Sequence, residues 1–129
     1  MSDKKLPKII EEVGFDFGWS ESKVWKLDFP AEEIPISDLS WHFEMPFWDF
    51  LDDNYNLSPN QVISDPAKFK VEYDRTTKAD LSYPIDIMEN KGRWLILDGL
   101  HRLVKAKILG HDKVSVRKIP RTEIPKIKK

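Results

Sequence analysis

The chain has 129 residues and a mass of 15.2 kDa, with 21 Lys and Arg residues against 22 Asp and Glu residues. This length predicts one domain with a single hydrophobic core. The chain contains no cysteine, which excludes disulfides, thiol nucleophiles, Cys-ligated zinc and iron–sulfur clusters. It also contains no long uncharged apolar segment and no apolar stretch near its start. We therefore expect a soluble cytoplasmic protein that makes no membrane contact.

Charge is distributed unevenly along the chain. Residues 1–65 carry 5 basic and 14 acidic residues, a net of −9, whereas residues 66–129 carry 16 basic and 8 acidic residues, a net of +8. Two explanations fit this pattern. Either a basic face of the fold attracts a polyanion, or the two halves of the chain attract each other.

The N-terminal half is predicted to form short elements. Residues 1–14 are polar and predict either a loosely held arm or a short helix over 8–13. Alternating side-chain character predicts a strand over 23–29, and Pro30 would end it. A second extended piece is predicted over 34–36, followed by a turn of helix.

Residues 15–55 hold 11 of the 15 aromatic side chains. Residues 46–66 combine aromatic residues with turn-forming Asp, Asn, Ser and Pro, which predicts an irregular surface excursion. The sequence Ser64-Asp65-Pro66 is typical of a helix start, so we predict a helix over 66–78.

The C-terminal third has the clearest pattern. Strands are predicted over 83–88 and 93–97, joined by a hairpin turn at 89–92 in which Gly92 can adopt a positive φ. Apolar residues at helical spacing predict a helix over 100–109, which Gly110 would end. Alternation then predicts a strand over 114–119.

These elements predict one α+β domain over residues 15–121, built on a small mixed β-sheet with surrounding helices. The N-terminal arm, residues 1–14, would precede it. Residues 122–129 end in Lys126-Ile127-Lys128-Lys129, which predicts a basic, disordered C-terminal tail.

The segment from Asp98 to Arg102 lies where the buried strand 93–97 leads into a helix. The free N–H groups and the dipole of a helix N-terminus favour an anion there, and Gly99 allows close approach to the backbone. Arg102 suits phosphate oxygens, and His101 can donate or transfer a proton. In the alternative interpretation, Asp98 caps the helix and pairs with Arg102, while His101 is a solvated surface residue.

The segment LDGLHRLVKAKILG at 97–110, followed by Val-Ser-Val at 114–116, resembles the signature segment of the ParB/sulfiredoxin-like superfamily. Residues 34–39 are similar to the opening strand of that family, and residues 83–87 to its Pro-Ile-x-Val strand. The resemblance extends over roughly residues 24–120. It implies a small α+β fold whose Gly-x-His-Arg turn binds nucleotide phosphates.

Known activities of the superfamily include CTP-gated DNA clamping, sulfinic acid reduction, free serine phosphorylation and nuclease activity. Leu100 stands where sulfiredoxins need a cysteine, so sulfinic acid reduction is excluded. The turn is most similar to the Asp-Gly-His-His-Arg turn of the serine kinases, with Leu100 replacing the first His. The resemblance implies that Gly99, Leu100, His101 and Arg102 bind phosphate of ATP or CTP with Mg²⁺, and that Asp98 and His101 are catalytic.

Those kinases take a catalytic base from near the opening strand, where this chain has Glu44. The resemblance therefore makes Glu44 a candidate catalytic base. In the alternative interpretation, Glu44 is a surface carboxylate. The three histidines lack metal-ligand spacing, so we expect no protein-bound structural metal.

We expect a nucleotide-phosphate-binding protein, either an ATP-dependent phosphotransferase or a nucleotide hydrolase. One alternative is a DNA-binding module or nuclease, whose candidate contacts are Lys105, Arg117, Lys118 and Arg121. The other is a non-catalytic interaction protein whose partner surface is the aromatic segment 41–50. Aromatic side chains there can stack a nucleobase, pack in the core or contact a partner.

Overall fold

A computed structural model describes residues 7–51 and 53–129, so residues 1–6 of the predicted arm lie outside the described residues. The described α-helices are α1 (Lys8–Val13), α2 (Glu21–Trp25), α3 (Pro59–Ser64), α4 (Lys70–Lys78), α5 (Leu100–Ile108) and α6 (Ile124–Ile127). The β-strands are β1 (Ala31–Pro35), β2 (Trp48–Phe50), β3 (Asp53–Leu57), β4 (Ile85–Asn90), β5 (Arg93–Asp98) and β6 (Lys113–Lys118). Short 3₁₀ helices span Ile36–Asp38, Ser40–Glu44 and Arg121–Glu123. Within these ranges, no helix is both long and apolar enough to cross a membrane.

Four of the strands form a mixed sheet in the order β1-β6-β4-β5. The β1–β6 and β4–β5 pairs are antiparallel, whereas β4 and β6 run parallel. The connection from β5 to β6 contains α5, and β2 pairs with β3 in a separate two-stranded sheet. The predicted α+β class with a small mixed sheet is confirmed.

The β4–β5 hairpin and α5 form where the sequence predicts them. Lys91 and Gly92 both have positive φ, +52° and +85°, which suits the tight turn between twisted antiparallel strands. Leu103, Val104 and Ala106 form the buried face of α5. Gly110 follows the helix with a φ of +80°, as a helix-ending glycine does.

The strand predicted over 23–29 is wrong. The chain forms the short helix α2 there, followed by irregular chain from Lys26 to Pro30. Val24 is fully buried and packs in one cluster with Ile127 of α6, while the neighbouring Trp25 is exposed. This distant contact decides the local structure, since a few alternating residues do not distinguish a strand from one helical turn. The extended piece predicted over 34–36 overlaps β1.

The irregular excursion predicted over 46–66 is also wrong. The segment contains β2, β3 and α3. Ser58 and Gln61 form a capping box at the start of α3, in which each side chain accepts the other residue's backbone N–H. The next helix begins at Lys70 rather than at Pro66, since residues 66–69 form turns.

Both described ends of the chain pack against the domain. The predicted helix over 8–13 is α1, and the Asn90 side chain donates hydrogen bonds to the carbonyls of Val13 and Gly14. The expectation of a disordered tail is wrong, because Ile127 is 0% exposed and Lys128 bridges to Trp19. The apolar side chain of Ile127 packs in the core, and no local sequence pattern predicts this burial.

The sheet separates two hydrophobic clusters. Neighbouring residues of β4 point to opposite faces. Ile87 therefore joins the larger cluster with α3, α5 and the aromatic segment, whereas Met88 joins a smaller cluster with Val24, Leu97 and Ile127.

We expect Ile127→Ala to lower the free energy of unfolding by about 2–4 kcal/mol, because it removes a fully buried side chain. Lys128→Ala is the matched control, since the Lys128 side chain is exposed and its carbonyl is retained. Urea denaturation measures both values. An Ile127→Ala value equal to that of the control would contradict the packing of this end.

Candidate functional site

The turn between β5 and α5 requires glycine at position 99. Gly99 has a φ of +115°, in the region that other residues rarely adopt. A Cβ atom at this position would lie 3.2 Å from the Ile85 Cα and 3.1 Å from an Arg102 guanidinium nitrogen. The turn is therefore closely packed against β4.

A β-bulge lies directly before this turn. Asp98 is paired with Asp86 and Ile96 with Ile87, which leaves Leu97 as the extra residue of β5. A bulge bends its strand and redirects the following side chains. It thus contributes to the direction in which Asp98 and the start of α5 point.

A cavity of about 620 Å³ lies beside the turn. Four of the predicted site residues line it, namely Asp98, Gly99, Leu100 and His101. The other walls come from α1, from aromatic residues within 15–19 and 47–55, and from the C-terminal end of the chain. They include Glu11, Phe15, Phe17, Trp19, Glu21, His42, Phe47, Trp48, Tyr55 and Lys129.

The N-terminus of α5 faces this cavity without an acidic cap. Gly99 occupies the capping position, and the first turn contains no acidic residue. Within the part of the chain that the structure describes, the backbone N–H groups of Leu100 and His101 have no hydrogen-bond acceptor. Free N–H groups and the helix dipole together favour an anionic ligand.

Arg102, the fourth residue predicted to bind phosphate, does not line this cavity. Its guanidinium donates to the Pro84 carbonyl at 2.8 Å and lies 3.5 Å from the Asp98 carboxylate. It also lies over the Tyr83 ring and lines a separate small pocket. The structure brings Gly99, Leu100 and His101 to the cavity, whereas Arg102 links the turn to the chain before β4.

The Asp98 carboxylate lies at the start of the turn and contacts two side chains, those of Trp25 and Arg102. Its Oδ2 atom accepts a hydrogen bond of 2.7 Å from the Trp25 indole N–H, in addition to the Arg102 contact. The Asp98–Arg102 pair of the alternative interpretation is therefore present. Asp98 does not cap α5 with its side chain.

A second carboxylate, Glu21 of α2, lies beside Asp98. Partial burial raises the pKa of Glu21, and the nearby charge and hydrogen bonding of Asp98 raise it further. The predicted base, Glu44, is instead exposed in the 3₁₀ helix Ser40–Glu44. Glu21 escaped the sequence analysis because 77 positions separate it from Asp98, and no local pattern links the two.

His101 is partly buried and hydrogen-bonded to α4. Its Nε2 atom lies 2.7 Å from the Glu72 carboxylate, and its ring stacks on Trp48 with a centroid distance of 4.7 Å and an interplanar angle of 15°. Burial acts to raise the pKa of Glu72, but the hydrogen bond and charge of His101, together with Arg75, outweigh it and lower the pKa. The predicted solvated His101 is therefore only partly right, since 33% of its side chain is exposed.

The side chains of Trp19, Trp41 and His42 cover the free edge of β5. His42 is buried, and its Nε2 accepts from the Ile96 N–H at 3.2 Å while its Nδ1 donates to the Leu39 carbonyl at 2.8 Å. Trp19 and Trp41 donate to carbonyls of the same strand, those of Leu97 and Trp94. An edge strand with satisfied groups is protected from pairing with another chain.

Both ring nitrogens of His42 are therefore used within the fold. Burial lowers the pKa of His42 to about 4, and the charge of Arg93 acts in the same direction. His42 is neutral at pH 7, with the tautomer set by its two backbone partners. Across residues 7–51 and 53–129, no group of three or more His, Cys, Asp or Glu side chains is arranged to hold a metal ion.

The aromatic segment 41–50 contributes largely to the core. Phe43 and Trp48 are buried in the larger cluster, and Phe50 packs against it. Trp41 and Phe47 are half-buried and lie in contact with His42. Phe47 and Trp48 are the members of this segment, besides His42, whose side chains reach the cavity.

The four basic residues predicted to contact DNA all have partners within the chain. Arg117 is nearly buried, and its guanidinium bonds Asp86 at 2.6 Å and the carbonyls of Leu27 and Val24. The other contacts are Lys105 with the Ala79 carbonyl, Lys118 with Glu32, and Arg121 with the Glu89 carbonyl. Arg117 thus holds the sheet to the N-terminal segment, and Lys118–Glu32 is a contact of the kind expected if the two halves of the chain attract each other.

No family model, curated protein or solved structure matches this chain.

Gly99→Ala tests the tightness of the turn. Gly110→Ala is the matched control, because its φ is also positive but nothing lies within 4 Å of the added Cβ. We expect Gly110→Ala to cost about 1 kcal/mol of unfolding free energy from backbone strain. Gly99→Ala should cost clearly more, because the Ile85 backbone must also shift. Equal costs by urea denaturation would contradict the packing described for the turn.

Proposed function

We propose that this chain binds a nucleotide in the cavity at the N-terminus of α5. The main support is that the Leu100 and His101 backbone N–H groups have no acceptor among the described residues, while both residues line a cavity of about 620 Å³. A phosphate group satisfies such N–H groups and interacts favourably with the helix dipole. The resemblance of segment 97–110 to a phosphate-binding turn agrees with this location.

The size of the cavity and two nitrogen-bearing side chains in its lining support the same ligand class. His101 lies at the start of α5, and Lys129 lines the cavity near Gly18. Binding cavities for small molecules have volumes of roughly 300–1,000 Å³. A phosphate at the helix N-terminus leaves room in this cavity for the rest of a nucleotide.

The aromatic wall supports a ligand with a planar base. Phe15, Phe17 and Trp19 pack against one another with centroid distances of 5.1–6.0 Å, and all three line the cavity. Aromatic faces stack nucleobases with little dependence on base identity. ATP and CTP are therefore both suitable probes.

The carboxylates of Glu21 and Asp98 fit a Mg²⁺ ion that accompanies the phosphates. Mg²⁺ is bound in proteins through one or two carboxylates together with substrate phosphates. Burial, together with the charge of Asp98 beside it, raises the pKa of Glu21. Bound Mg²⁺ would neutralise phosphate charge, and Asp98, Glu21 and His101 are among the groups at the cavity that could accept a proton in a phosphotransferase or hydrolase.

A matched pair of variants at Leu100 tests this proposal. Leu100→Asp and Leu100→Asn lose the same apolar packing, but only the aspartate places a negative charge among the free N–H groups of α5. The measurement is thermal unfolding with and without ATP or CTP in the presence of Mg²⁺. Nucleotide at about 100 times its Kd adds about 2.7 kcal/mol of stability, which is several degrees for a domain of this length.

We expect a nucleotide-dependent rise in Tm for the wild type and a smaller but measurable rise for Leu100→Asn. Leu100→Asp should show none, because its carboxylate repels phosphate and occupies the same N–H groups. Equal rises in the two variants would place the nucleotide elsewhere. No rise in the wild type with either nucleotide would overturn the proposed function.

A further inference from the structure

Glu72 is a buried carboxylate on α4 that sequence analysis does not single out. Its side chain is 8% exposed, and a carboxylate at such a position is rare unless it is paired. One oxygen accepts from the Arg75 guanidinium at 2.7 Å. The other lies 2.7 Å from Nε2 of His101, which is 29 positions away in the sequence.

The ionisation of Glu72 determines where the His101 proton resides. Although burial acts to raise the pKa of Glu72, its contacts with His101 and Arg75 lower it below the ordinary value of 4.5. Glu72 is therefore an anion at neutral pH and accepts hydrogen bonds only. Nε2 of His101 must carry a proton to make this contact, which leaves Nδ1 as the ring nitrogen that can change its protonation.

Trp48 fixes the plane of the same ring. The imidazole stacks on the indole at 4.7 Å, and Trp48 itself is buried in the core. Among the described residues, Nδ1 of His101 has no hydrogen-bond partner. The ring is thus held on one edge and one face, while the residue lines the cavity at the start of α5.

From this geometry we propose that Glu72 is a positioning residue: its carboxylate holds the proton of His101 on Nε2, so that Nδ1 is the nitrogen that takes up a second proton and then donates to a phosphate oxygen of the bound nucleotide. This inference rests on the proposed function for the ligand, but the tautomer is a property of the free protein. When the ring is protonated, Nδ1–H donates to the phosphate while Glu72 balances the charge at Nε2. A contact that merely joined α4 to α5 would need no particular tautomer and would leave nucleotide affinity unchanged.

The test compares Glu72→Gln with Arg75→Ala. Glutamine keeps the size of Glu72, but its amide can either accept from or donate to Nε2, so it no longer enforces one tautomer. Arg75→Ala removes the other partner of Glu72 and retains the contact with Nε2. The Arg75 side chain is 64% exposed, so its loss opens no space in the core. Thermal unfolding verifies that both variants fold.

Long-range ¹H–¹⁵N correlation spectra of ¹⁵N-histidine-labelled protein, without ligand and at a pH where the rings are neutral, report the tautomer of His101. We expect Nε2–H in the wild type and in Arg75→Ala, and a mixture of tautomers in Glu72→Gln. In titrations with Mg²⁺ and ATP at a lower pH, at which His101 is protonated, Glu72→Gln should bind roughly tenfold more weakly and Arg75→Ala within about threefold of the wild type.

An Nδ1–H tautomer in the wild type, or an unchanged tautomer in Glu72→Gln, would overturn the positioning role. Unchanged nucleotide affinity in Glu72→Gln would equally overturn it, since the contact would then be structural only. If the wild type shows the expected tautomer but binds neither ATP nor CTP, the proposed function fails while the role of Glu72 in fixing the ring is supported.

Discussion

The backbone turn at Gly99 is the constraint on which the site depends. It leaves β5 at a φ of +115° and passes so close to Ile85 of β4 that an added Cβ atom would lie 3.2 Å from the Ile85 Cα. The bulge at Leu97 and the Arg102–Pro84 hydrogen bond hold the same turn from either side. As a result, the first residues of α5 line a cavity. A rigid turn of this kind binds a ligand with little cost of reorganisation.

Some of the side chains that line the cavity also cover an edge strand. β5 lies at the end of the sheet, and its outward backbone groups are satisfied by side chains of Trp19, Trp41 and His42. These residues come from two segments far from β5 in sequence, and two of them, Trp19 and His42, also line the cavity. The same packing that stabilises the sheet thus shapes the surroundings of the α5 N-terminus, and it also stacks Trp48 on His101.

The C-terminal third could be predicted because its signals are local. The hairpin turn, the apolar face of α5 and Gly110 each depend on neighbouring residues. The N-terminal half could not, because α2 depends on burial of Val24 against Ile127 across the whole chain. The candidate site likewise has one part with local sequence signals and one part formed by tertiary packing. The turn at 98–101 was predicted correctly as the meeting point of strand and helix, whereas Glu21 and Glu72 reach it only through tertiary packing. The capping box at Ser58 was a local signal that the turn-rich composition around it obscured.

The most direct test of the account is a ¹H–¹⁵N correlation spectrum of the backbone amides during titration with Mg²⁺ and ATP, repeated with CTP. If phosphate binds at the start of α5, the largest changes in chemical shift will occur at the amides of Gly99, Leu100 and His101. Smaller changes will occur along the aromatic wall at Phe15, Phe17 and Trp19. A spectrum that does not change with either nucleotide, or changes concentrated far from the turn, would contradict the central claim.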